Sequence, residues 1–143
     1  MSTSGSLVLV IGALSSAFAA IAHLVCIFIG APAYRFLGAG ERMARGAEAG
    51  KLKPTIITAM IAIILLIWSI YALSGAGIIE SLPFTKWVLV AISAVFLGRA
   101  LAFPILKPIF PENTMTFWLV SSGICLFVGS LYLYGVILQW YML

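Results

Sequence analysis

His23 and Arg99 are ionisable side chains that fall inside long apolar stretches of this 143-residue chain. Placing such groups in hydrocarbon is costly enough to make each a candidate for function. Arg99 offers a planar, permanently charged donor fork suited to a carboxylate or phosphate. If the stretches are membrane helices, His23 lies about 10 Å and Arg99 about 6–8 Å from the same membrane face, at 1.5 Å per residue. At that depth the other two stretches offer Thr58, Ser121 and Ser122, and Cys26 follows one turn after His23. The residue types predict a polar pocket open to that face, with His23, Arg99, Thr58, Ser121 and Ser122 as its ligand-binding candidates. The competing reading has Arg99 snorkelling to headgroups and His23 hydrogen-bonding a neighbouring helix.

Other chemistries find little support. His23 and Cys26 stand at i, i+3, but a closed metal site takes four ligands, so no metal is expected. Haem held by two histidines would need a second copy of a chain with one histidine. No cofactor is expected. Glu41, Glu48, Glu80 and Glu112 all lie in connections or at ends of the apolar stretches. That placement argues against a carboxylate proton relay, and it leaves His23 without the buried acid that serine–histidine catalysis requires. Cys26 and Cys125 lie in apolar runs, where a small buried hydrophobe is the default.

The elements that must position these groups follow from composition. Apolar residues make up 64% of the chain and charged residues 8%, against about half and a quarter in soluble domains. So few charges cannot cover a water-facing surface. Four apolar runs, Leu7 to Gly30, Thr55 to Leu73, Phe84 to Phe103 and Thr116 to about Leu138, each approach the roughly 20 helical residues that cross a bilayer core. Backbone in hydrocarbon must satisfy its own hydrogen bonds, and nothing alternates with the period of a strand. The expected fold is all-α: an integral membrane four-helix bundle forming a single transmembrane domain over residues 1–143. Ala17-Phe18-Ala19 superficially suits a signal cleavage site. Met1 to Ser6 carries no base, however, and the apolar run continues past Ala19, so a retained helix is expected.

Charge sets the expected orientation. The first connection, Ala31 to Pro54, holds Arg35, Arg42, Arg45, Lys51 and Lys53. The third holds Lys107, with Arg99 just before it, whereas Ser74 to Pro83 has no base. Positive-inside counting places connections one and three in the cytoplasm and both termini outside. Trp68, Trp87 and Trp140 would then lie at the outer interface and Trp118 at the inner one, with Lys86 an outer anchor. The five bases of the first connection are expected to contact anionic headgroups or an anionic ligand. Between Gly38 and Gly50 a short interfacial helix is expected, with Glu41 and Arg45 at a favourable i, i+4 spacing. Tyr34, Phe36 and Leu37 would act as an interfacial anchor. Ser74 to Gly77 and Pro83 bound a tight outer hairpin, and Glu112, Asn113 and Thr114 offer caps for the last helix. Gly12, Ser16 and Ala20 recur every four residues, a stripe that lets a helix approach closely, within the chain or between copies.

Glu41-Arg42-Met43-Ala44-Arg45 followed by Pro54, with Arg99 in the third apolar run, resembles the membrane-associated proteins in eicosanoid and glutathione metabolism. That resemblance implies a four-helix, glutathione- or lipid-modifying enzyme, with Arg42, Arg45 and Arg99 holding an anion. The chain has no Asn between Arg45 and Pro54, and so lacks a group that family uses to hold glutathione. It also resembles uncharacterised small four-helix proteins of bacterial inner membranes. The expectation is a multi-pass protein of a bacterial-type inner membrane, binding lipid or a partner without catalysis. Self-association or membership of a membrane assembly is expected, and nucleic acid is not. A small-molecule transporter is a further alternative, weakened by the lack of buried carboxylates and broken helices.

Overall fold

Glycine and proline punctuate the chain where its apolar runs end. Gly30 and Gly77 take positive φ of 85° and 79° just past two long helices, the left-handed step that ends a helix at little cost only for glycine. Pro54 occupies the first turn of the second of these, where its missing N–H is no loss. Thr114 caps the last long helix, its hydroxyl accepting from the Phe117 N–H at 3.1 Å.

The computed structural model describes residues 3–36, 40–111 and 113–143. Its elements are α1 (Thr3–Ile29), α2 (Ala31–Phe36), α3 (Glu41–Glu48), α4 (Lys53–Gly75), α5 (Thr85–Leu101), α6 (Phe103–Ile109) and α7 (Met115–Leu138), and no strand occurs among the described residues. α1, α4 and α7 are each long and apolar enough to cross a membrane. α5, with 17 residues, reaches only about 26 Å, short of a roughly 30 Å core. It bends by 63° into α6. Pro104 explains the break: it has no N–H, and its ring opposes the carbonyl four residues earlier, so the helix restarts with Pro104 in its first turn. Large apolar side chains face outward along the long helices, Phe18 at 75% and Phe28 at 87% exposure. The chain is a multi-pass membrane protein.

Around the bundle the packing order is α4, α1, α7 and α5, with α5 returning to α4. Ser6 Oγ donates to the Ala76 carbonyl at 2.5 Å and Gln139 Nε2 to the Gly75 carbonyl at 3.4 Å, so both chain ends sit beside the α4–α5 connection. Within that connection Ser74 Oγ accepts from the Leu82 N–H at 2.9 Å and donates to the Glu80 carbonyl at 3.1 Å, closing the hairpin. α2, α3 and the α6–α7 connection occupy the opposite end.

Lipid tails are as apolar as leucine, so helices hold together by close packing and interhelical hydrogen bonds. The stripe of Gly12, Ser16 and Ala20 is buried, and its partner lies within the chain. A Cβ on Gly12 would stand 3.3 Å from the Tyr132 ring, and the Ser16 and Tyr132 hydroxyls are 2.7 Å apart. On the next face Ser69 Oγ donates to the Ala13 carbonyl at 2.8 Å. Leu9, Leu89, Ile92, Tyr132 and Val136 centre the apolar core, toward the end that holds the termini.

Trp68, partly buried, packs edge-on against Phe96 with ring centroids 5.2 Å apart, beside the apolar core. Two other aromatic positions differ from the sequence expectation. Trp118 is 2% exposed and so cannot form part of a lipid-facing belt. Tyr34, also 2% exposed, turns inward because its hydroxyl finds Thr58 Oγ1 at 3.2 Å. Of the expected anchor, Phe36 stays outward at 89% exposure and Leu37 lies outside the described residues, as do Gly38 and Glu112. Trp87 and Trp140 pair at 6.1 Å, and the Lys86 ammonium sits 4.5 Å from the Trp140 ring centroid.

Candidate anion-binding site

Charge is sorted on α3 before any ligand arrives. Glu41 and Glu48 are seven residues apart and share one face of that helix. Both are taken by Arg35 from α2, which reaches Glu41 Oε1 at 2.9 Å and Glu48 Oε1 at 2.6 Å. Those hydrogen bonds hold both carboxyls below the ordinary glutamate range and raise the guanidinium further. The expected Glu41–Arg45 pairing is correspondingly displaced: Glu41 accepts from Arg35, and Arg45 adds a smaller through-space attraction.

The neighbouring face of α3, with its C-cap, carries Arg42, Arg45, Gly46 and Ala49, at i, i+3, i+4 and i+7, and lines a cavity of about 920 Å³. Lys51, Lys53, Pro54 and Ile57 continue the wall along the start of α4, and Ile109, Phe110, Pro111 and Asn113 close it from the α6–α7 connection. Gly46 permits this seating of α3 on α4, since a Cβ there would meet Pro54 Cγ at 2.9 Å. Among the described residues no carboxylate lines the cavity, and Arg42, Lys51 and Lys53 have no ion-pair partner. The start of α4 has no side-chain cap, so its partial positive charge adds to the same region.

The five candidates inferred from depth separate into three places. Arg99 turns toward α7, donating from Nη2 to Ser121 Oγ at 2.9 Å and from Nη1 to Ser122 Oγ at 3.3 Å. Its guanidinium carbon lies 5.0 Å from the Trp118 ring centroid, a cation–π distance. Thr58 is buried against Tyr34. His23 donates from Nδ1–H to the Ala19 carbonyl of its own helix at 2.6 Å. None of the five lines the basic cavity, whereas four of the five bases expected to meet an anion do, Arg35 being the exception. The contributions of Met43, Ile57, Phe110 and Asn113 escaped the sequence reading. The i, i+3, i+4, i+7 spacing of 42, 45, 46 and 49 was visible, but nothing local signals that Phe110 and Asn113 lie opposite. No family model matches the chain, and no curated protein or solved structure matches it.

Proposed function

We propose that this is a non-catalytic four-helix membrane protein of a bacterial-type inner membrane, with both termini outside. Its cytoplasmic end binds anionic lipid headgroups or an acidic partner. The observation that carries the reading is the cavity bounded by Arg42, Arg45, Lys51 and Lys53, while the two glutamates of α3 are engaged elsewhere by Arg35. Each base near an anionic leaflet contributes about 1 kcal/mol of attraction, and a site with no carboxylate among its described lining residues concentrates that attraction at one place. Among the described residues the lining contains no His, Cys, Ser, Thr, Tyr, Asp or Glu, which favours binding over catalysis. Arg99, the third arginine of the glutathione reading, is occupied by Ser121 and Ser122 away from the cavity, which weighs against that enzyme.

The test is thermal unfolding in nanodiscs of phosphatidylglycerol and of phosphatidylcholine. The anionic lipid is expected to raise the melting temperature, with the difference shrinking in high salt and in the triple variant Arg42→Gln/Lys51→Gln/Lys53→Gln. Equal stability in the two lipids would overturn the reading. Sidedness is checked in a background lacking Cys26 and Cys125. An impermeant thiol reagent outside intact cells is expected to label Ser81→Cys and to spare Ala49→Cys, and the reverse pattern inverts the orientation.

A further inference from the structure

We infer that the basic cavity is a discrete site for one amphiphile bearing a phosphate headgroup and an alkyl chain. The inference rests on the anion-binding reading above and names its ligand class. The cavity walls differ in kind. Arg42, Lys51 and Lys53 offer cationic donors without ion-pair partners among the described residues, and the uncapped start of α4 adds to their field. Ile57, one turn beyond Lys53 on α4, and Ile109 and Phe110 from the α6–α7 side supply the apolar part of the lining.

A small free anion would use the cationic donors and leave the apolar wall facing water. An uncharged amphiphile would leave three cations without a counter-charge among the described residues. A phosphate with an attached chain satisfies both surfaces, because its oxygens accept from ammonium and guanidinium donors while its methylenes stay against apolar carbon. At about 920 Å³ the cavity is at the upper end of the roughly 300–1,000 Å³ that single small-molecule ligands occupy. Geometry also orients the ligand. Ile57 lies four residues into α4 from Lys53, about 6 Å deeper along the helix, so the chain runs toward the membrane interior and the phosphate toward the α3 end.

The shared chemistry, a phosphate oxygen cluster, is available from a lipid or from solution, and the experiment separates the two. Full-length protein in phosphatidylcholine nanodiscs is titrated with dodecyl phosphate, inorganic phosphate and dodecyl maltoside, with empty nanodiscs subtracting partition into the bilayer. Dodecyl phosphate is expected to bind saturably at one per chain, and at least tenfold more tightly than inorganic phosphate. Arg42→Gln/Lys51→Gln is expected to weaken it at least tenfold. Ala49→Trp and Ile109→Trp keep every charge but fill the cavity from exposed positions, and are expected to weaken it similarly. Inorganic phosphate binding as tightly as dodecyl phosphate would overturn the amphiphile assignment. So would unchanged dodecyl phosphate affinity in both tryptophan variants. In either case, a retained preference for phosphatidylglycerol that is lost in the charge variants leaves the broader anion-binding reading standing. Loss of that preference in wild type removes both.

Discussion

Replacing Gly135 with alanine tests how closely α1 and α7 are packed. A Cβ built on Gly135 stands 2.6 Å from both Cγ and Cδ2 of Leu9, where carbon atoms at rest are about 3.5–4.0 Å apart. The helices must separate by about 1 Å, or Leu9 must move. Leu9 has little freedom, being 0% exposed in the apolar core. Overpacking of this kind costs about 1–3 kcal/mol. Gly123 provides the control, since it is on the same helix and a Cβ there meets nothing within 4 Å. Any gain in helix propensity, up to about 1 kcal/mol, is common to the two substitutions and cancels in their difference. Reversible unfolding in mixed micelles, followed by circular dichroism as the denaturing detergent fraction rises, is expected to place Gly135→Ala about 1–3 kcal/mol below Gly123→Ala. In a Leu9→Ala background the same substitution is expected to be neutral or stabilising, because the new methyl group enters the space the leucine left. Equal stability of the two alanine variants would refute the close α1–α7 contact.

Two further expectations concern the polar groups. Glu41 and Glu48 titrate below their ordinary range because Arg35 donates to both; the contribution of the α2–α3 clasp is therefore complete above that range and lost as pH falls through the lowered values. Carboxyl-carbon NMR is expected to show both midpoints returning toward about 4.3 in Arg35→Gln, and midpoints indifferent to that substitution would remove the clasp. Arg99→Lys keeps the charge but cannot reproduce two hydroxyl contacts and a stacked ring at once. Detergent unfolding is expected to show a loss of about 0.6–1.7 kcal/mol, no longer seen when Ser121 and Ser122 are both alanine, and a fully tolerated lysine would mean that Arg99 only snorkels.

Much of the architecture was already determined by residue order. The bilayer demands roughly 20 apolar residues per crossing, so the apolar runs located α1, α4, α5 and α7 to within a few residues at each end. Small residues at every fourth position identified the close-packed face of α1, because that spacing returns to one side of a helix. Pro104 stands directly after the third apolar run, where proline cannot continue the ladder. Positions of this kind depend on neighbours along the chain.

Where each side chain points around its helix was decided only by tertiary structure. A count of residues from a helix end gives depth along the membrane normal, one coordinate of three. His23, Thr58, Arg99, Ser121 and Ser122 were grouped by depth alone. Rotation about each axis and the packing order of the helices sent Arg99 to Ser121 and Ser122, Thr58 to Tyr34, and His23 to its own backbone. The basic connection shows the same division. Its charges were plain from composition, but Arg35 engages Glu41 and Glu48, on the face of α3 beside the cavity, through contacts 6 and 13 residues apart. Phe110 and Asn113 arrive from more than fifty positions away to close the cavity. Local sequence sets which groups a helix carries and how deep they lie, whereas their meeting depends on which helix packs beside which, and that is a property of the whole chain.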